Sequence, residues 1–226
     1  METIDDTGFG GIRLIQETEG FRYGTDAVLL MQFARRCAPA AVQAVELGSG
    51  NGAVALMLAG QDSKLRITGI EFQQRAYELA CKSSRLNGLE DRVSFICGDI
   101  NSLKEKHSDL RQTADLVVSN PPYVAQGSGI PGSRNALQMA RQETTADLED
   151  FIAAAAWLLR GKGSFCLVHR PSRLVDIFYF CRKYHLEPKR IQFVHPCEGQ
   201  PPNIVLIQCS AGGGRELIYD NPIYVH

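Results

Sequence analysis

The chain has no surplus of charge: 24 Lys and Arg face 25 Asp and Glu across 226 residues, a formal net charge of −1. A global positive field of the kind that advertises nucleic acid is therefore missing, and a polyanion would have to be held by local patches. Seven cysteines stand singly at 37, 81, 97, 166, 181, 197 and 209, with no C-x-x-C pair and an odd count. That pattern argues against a zinc site and a disulfide framework, so the thiols read as reduced core residues. The five histidines lack metal-ligand spacing, and no metal is expected. The longest apolar stretch, FIAAAAWLL (151–159), is far too short to span a bilayer. METIDDTGFGGIRLIQ, at the start, has no basic region followed by an apolar run, so no signal peptide is expected and cytoplasm is the expected location.

Short β-branched runs are present in number. VQAVEL (42–47), LRITGIE (65–71), RVSFIC (92–97), DLVVSN (115–120), GSFCLVH (163–169), IQFVH (191–195) and NIVLIQC (203–209) read as strands. Helical patterns fall between them at about 52–60, 72–87, 146–160 and 172–184. Strands alternating with helices predict an α/β fold, a mostly parallel seven-stranded sheet covered on both faces. PCEGQPP (196–202) leaves no room for a helix, so the last two strands should pair antiparallel. Ahead of the sheet, residues 12–24 suggest a hairpin turning at ETEG, then a helix over 25–37 capped by Thr25 or Asp26. A single domain over 1–226 is expected, with residues 1–40 as an extension over the ligand site.

The chemistry gathers at strand ends. AVELGSGNG (44–52) runs from a strand through glycines 48, 50 and 52 into a helix, which places backbone N–H groups and a positive helix end beside a ligand. Glu71 closes the second strand, placed to accept from a ribose diol. Asp99, after the third strand, is placed to accept from an adenine amino group, with Ile100 against the ring. The fourth strand ends on Asn120-Pro121-Pro122-Tyr123, which neither extends a sheet nor starts a helix cleanly. A nicotinamide dehydrogenase is the obvious competitor, but its fingerprint wants G-x-G-x-x-G.

ELGSGNG, ITGIE, GDI and DLVVSNPPY together resemble the ordered motifs of class I S-adenosylmethionine-dependent methyltransferases, a Rossmann-like fold. Within that superfamily, Asn-Pro-Pro-Tyr is similar to the motif of enzymes that methylate a planar nitrogen. FRYGTDAVLL (21–30), ARQE (140–143) and the final NIVLIQCSAGGGRELIYDNPIYVH resemble the bacterial tRNA adenine-N6 methyltransferases that modify the adenine beside the anticodon of a valine tRNA. Glu46 stands where that family often has Asp, and Gln142 where it often has His. The resemblance implies S-adenosylmethionine as cofactor, held by Thr25, Asp26, Glu46, Gly48, Ser49, Gly50, Gly52, Glu71, Phe72, Asp99, Ile100 and Asn120. It implies Asn120, Pro121, Pro122 and Tyr123 as the catalytic set, the Asn120 and Pro121 carbonyls holding the amine and the tyrosine ring stacking on a flipped base. YGTDA is implied to fold over the methionine part of the cofactor.

A tRNA partner would be met by local basic groups: Arg35 with Arg36, Lys82 with Arg85, RKYH at 182–185, and Lys189 with Arg190. The stretch 125–139 reads as a lid and substrate loop, with Arg134 and Arg141 within reach of phosphate. Release-factor glutamine methylation and ribosomal RNA methylation on guanine N2 or adenine N6 remain open alternatives.

Overall fold

Each β-branched run becomes a strand, and the order of pairing decides where a ligand can lie. A computed structural model describes residues 1–18, 23–123 and 146–225. The strands of the main sheet are β3 (Gln43–Leu47), β4 (Arg66–Glu71), β5 (Val93–Cys97), β6 (Ala114–Ser119), β7 (Leu159–His169), β8 (Leu186–His195) and β9 (Ile204–Ala211). They pair in the order β5-β4-β3-β6-β7-β9-β8. All neighbours from β5 to β7 are parallel, and β9 is antiparallel to both β7 and β8. Among the described residues the sheet has nine strands rather than the seven expected. The additions, β10 (Ile218–Tyr219) and β11 (Ile223–Tyr224), lie along β8, and two residues each are too few to leave a periodic signal.

Six helices complete the described chain: α1 (Thr25–Cys37), α2 (Ala53–Gln61), α3 (Gln74–Leu86), the single turn α4 (Leu103–Lys106), α5 (Leu148–Leu158) and α6 (Leu174–Lys183). They cover the sheet on both faces, so successive strand residues serve opposite cores. In β6, Leu116 and Val118 join the core shared with α1 and α2, whereas Val117 joins the one shared with α5 and α6. Cys166 and Val168 of β7 follow the first pattern, Phe165 and Leu167 the second. Burial on both sides explains why these strands read as continuous apolar runs.

The hairpin differs from its expected place. It is formed by β1 (Glu2–Asp6) and β2 (Arg13–Glu17) and turns at TGFGG, while Glu19 and Gly20 of ETEG lie outside the described residues. Thr7 closes that turn, its N–H and hydroxyl both donating to the Ile12 carbonyl at 3.0 and 2.9 Å. Three of the five residues of β1 (ETIDD) are acidic and none belongs to either core, so it gave no apolar signal. The free edge of β2 is capped by α3: Arg13 and Ile15 N–H donate to Asn87 Oδ1 and Ser83 Oγ, each at 2.9 Å. Ion pairs from Arg75 to Glu2 and Glu17 fasten the same face.

Two glycines are fixed by close approach around one ring. At Gly69 of β4 a Cβ would stand 2.5 Å from Phe95 Cδ1, and at Gly52 one would stand 2.7 Å from Phe95 Cζ. Gly52 also holds a left-handed backbone, φ +82°, at the start of α2. Phe95 thereby locks the third strand beneath the glycine turn.

Candidate active site

Because β3 to β7 run parallel, their carboxyl ends line one edge, and the chemistry-bearing residues collect there. Ser119 Oγ donates to the Leu47 carbonyl at 2.9 Å and ties the ends of β6 and β3 together. Asp115 Oδ2, at the other end of β6, accepts from Val42 and Gln43 N–H at 2.8 and 2.9 Å and fixes the start of β3. The glycine turn and Asn120 are therefore held side by side.

Four N–H groups of the expected cradle are engaged within the protein. Gly48 and Ser49 N–H both donate to the Ile70 carbonyl, at 2.9 and 3.0 Å, and Gly52 N–H to the Ser49 carbonyl at 2.8 Å. Gly50 N–H donates to Glu71 Oε2 at 2.7 Å. Beneath the turn, Glu46 Oε2 accepts from Ala55 N–H in the first turn of α2 at 2.9 Å. The N–H groups of Gly48, Ser49, Gly50 and Gly52 are thus spent within the protein and are not offered to a ligand. Glu46 is buried beneath the turn and braces it.

Glu71 is nearly buried, its Oε1 accepting from Gln73 N–H at 2.8 Å while Oε2 holds Gly50. Burial pushes its carboxyl above the usual range. Phe72 follows as an exposed ring. Asp99 caps a turn, accepting from Asn101 N–H at 2.9 Å, and Ile100 is turned into the core of α5 rather than standing open to the crevice.

Thr25 is the first residue of α1, and the cap position belongs to Gly24, so neither Thr25 nor Asp26 caps the helix. Asp26 instead reaches across the crevice. Its Oδ2 accepts from Asn120 Nδ2 at 3.1 Å and from the Tyr123 hydroxyl at 2.7 Å. Pro121 is buried and Pro122 half-buried between them. Burial, then the Asp26 charge, pushes the Tyr123 phenol up, so it stays a donor.

His169 and Arg170, which close β7 at the same edge, were not singled out in the sequence. LVHRP carries the same signal as VVSNPP, an apolar strand ending on two polar residues and a proline. The His169 ring meets Tyr123 edge-on at 5.3 Å, and the Arg170 guanidinium lies over the tyrosine ring, 5.0 Å from its centre. Arg170 N–H donates to His169 Nδ1 at 2.8 Å, so the proton of the neutral ring sits on Nε2. Burial, aided by Arg173, pulls this imidazole down to about 4.

The basic pairs expected to meet RNA are engaged within the protein. Arg35 pairs with Asp62, Arg36 with Asp220, Lys82 with Glu2, and Arg85 with Glu90. Arg182 pairs with Glu187, Lys183 with Glu149, and Arg190 with Asp220, while Lys189 donates to the Gly214 and Glu216 carbonyls. The stretch 125–139, Arg134, Arg141 and Gln142 lie outside the described residues. Among the described residues no cluster of metal ligands occurs, and no helix is long and apolar enough to cross a membrane.

Buried Glu46 gives a test of the turn's electrostatics. Burial raises its carboxyl well above the ordinary value. The unfolded chain releases that proton near an ordinary pKa of about 4.3 while the folded protein keeps it, so stability falls as pH rises above that point. Glu46→Gln retains an acceptor for Ala55 and removes the titration. Its melting temperature relative to wild type is expected to rise between pH 5 and pH 8 (an order-of-magnitude window about the carboxyl range), and a fall would refute the assignment.

A sheet of this order, a glycine turn at the end of its first parallel strand, acidic strand ends and an Asn-Pro-Pro-Tyr edge define a Rossmann-like methyltransferase. Residues 18–176 match the Methyltransferase small domain family. The chain is 32% identical over 187 residues to a Porphyromonas gingivalis protein named tRNA1(Val) (adenine(37)-N6)-methyltransferase, covering 82% of this chain and 72% of the relative. A Parabacteroides distasonis protein of the same name is 32% identical over 84% of this chain and 77% of its own. The chain belongs to the methyltransferase small domain family, and with these relatives to the family of tRNA1(Val) (adenine(37)-N6)-methyltransferases. Among solved structures, a protein from Agrobacterium tumefaciens described as a predicted O-methyltransferase shares the fold with a TM-score of 0.70 at 22% identity, over 89% of this chain and 88% of that one. M. jannaschii TYW2, solved in complex with AdoMet, superposes with a TM-score of 0.63 at 15% identity, over 92% and 84% of the two chains.

Proposed function

We propose that the protein transfers a methyl group from S-adenosylmethionine to the exocyclic N6 of an adenine in tRNA, the adenine beside the anticodon of a valine tRNA. The observation that carries this reading is the placement of Asn120-Pro121 at the end of β6, tied to the end of β3 beside the glycine turn. The relatives' names supply the substrate and give no weight to release-factor glutamine or ribosomal RNA. The residues present suit the cofactor: Glu71 would accept from the ribose diol at the end of β4, beside the glycine turn it holds through Gly50. Phe72 offers an apolar face beside it, and Asp99 an acceptor for the adenine amine.

The sulfonium cofactor supplies a methyl group that is already activated, so the protein's task is placement. The adenine amine is a poor nucleophile because its lone pair is spread into the ring. The Asn120 side-chain carbonyl and the Pro121 main-chain carbonyl accept its two N–H bonds and draw the nitrogen toward a tetrahedral shape. Proline contributes no N–H to compete, and its fixed φ holds the neighbouring carbonyl in place. After transfer the nitrogen sheds one of its two protons, so neither acceptor has to be a strong base. A base stacking on Tyr123 either enters on the ring face opposite Arg170 or displaces that guanidinium.

The direct test is mass spectrometry of tRNA nucleosides from a deletion strain. Loss of 6-methyladenosine from valine tRNA, restored by the gene, is the expected result. An unchanged level would sink the proposal.

A further inference from the structure

We infer that Asp26 is a positioning residue: it fixes which end of the Asn120 amide meets the substrate amine. Asp26 lies in the first turn of α1, 94 positions before Asn120. Its Oδ1 accepts from Ala27 N–H at 2.9 Å, which anchors the carboxylate to the helix start. Oδ2 then takes Asn120 Nδ2 at 3.1 Å and the Tyr123 hydroxyl at 2.7 Å.

A primary amide is nearly symmetric in outline, yet only one of its ends accepts a hydrogen bond. An ionised carboxylate only accepts. It therefore selects the NH₂ end for itself, and the carbonyl oxygen is turned away from α1. Asp26 Oδ2 also accepts from the Tyr123 hydroxyl, so both polar side chains of the Asn-Pro-Pro-Tyr edge are committed as donors toward one acceptor. Without Asp26 the amide is free to flip and to meet the amine, itself a donor, with two more donors. This role rests on the reading of Asn120 as the amine acceptor, and it replaces the cofactor contact first expected of Asp26.

Exchanging the two partners tests it. Asn120→Asp places a second carboxylate beside the first, about where Nδ2 stood at 3.1 Å, and the two repel. Adding Asp26→Asn restores one donor and one acceptor with the roles reversed. The amide at 26 donates to the new carboxylate, whose other oxygen accepts from the amine. We expect kcat to fall about 50-fold in Asn120→Asp and about tenfold in Asp26→Asn, with the double substitution about tenfold faster than Asn120→Asp alone. Calorimetric Kd for S-adenosylmethionine should stay within about threefold in all three variants.

A rescue is a gain of activity that misfolding does not imitate. If Asp26→Asn leaves Asn120→Asp unchanged or slower, or if its own loss appears as weaker cofactor binding, the inference is overturned. Asp26→Ala removes the acceptor without adding charge and should lose kcat at an unchanged cofactor Kd; wild-type turnover there overturns the inference as well. Wild-type turnover in Asn120→Ala is a different failure, that of the amine-acceptor reading itself.

Discussion

Asn120→Ala is expected to lower kcat for methyl transfer to tRNA by about 10²–10³-fold, while the Kd for S-adenosylmethionine changes by less than about threefold. The amide is one of two acceptors aimed at the nitrogen, and acceptors placed in advance are worth most as charge develops during transfer. Truncation leaves the Pro121 carbonyl alone with the amine. The fold should tolerate it, because Asp26 keeps the Tyr123 hydroxyl at 2.7 Å and is not left as an orphaned carboxylate. Single-turnover rates with saturating tRNA measure the chemical step, and calorimetry measures cofactor binding. A rise in Kd as large as the loss of rate would move Asn120 from the amine to the cofactor.

The strands were legible because parallel strands buried on both faces leave a signal that survives without period. Leu116, Val117 and Val118 enter alternate cores, yet all three are apolar. The glycine turn was legible by spacing, but its chemistry was not. Whether its N–H groups are free depends on the Ile70 carbonyl and the Glu71 carboxylate, which arrive from the neighbouring strand. Local signals likewise said nothing of partners. Lys82 finds Glu2 across 80 residues, and Asp26 finds Asn120 across 94. A basic pair in a sequence shows charge, but only the fold shows whether that charge is already answered. The hairpin was misplaced for a related reason, since β1 is held by its turn and by ion pairs to α3 rather than by apolar burial.

Glu71→Ala is expected to fail in the opposite way, raising the Kd for S-adenosylmethionine about 100-fold with kcat at saturating cofactor within about threefold of wild type. Each carboxylate oxygen holds one backbone N–H, Gly50 at 2.7 Å and Gln73 at 2.8 Å, and an sp² oxygen accepts a second bond. Two hydroxyls of a ribose diol would complete the pair, and hydrogen bonds to a charged acceptor are worth about 1.5–3 kcal/mol each. A net loss of roughly 3 kcal/mol corresponds to the 100-fold weakening. The substitution also removes the acceptor that Gly50 N–H holds at 2.7 Å, so the glycine turn should loosen and the melting temperature fall. Saturating cofactor reorders the turn by mass action, which is why kcat should recover although Kd does not. The two halves of the crevice then separate cleanly: β4 governs cofactor affinity through Glu71, and β6 governs rate through Asn120. A Glu71→Ala enzyme that stays slow at saturation would mean that the turn also positions the reacting nitrogen, and that this separation is false.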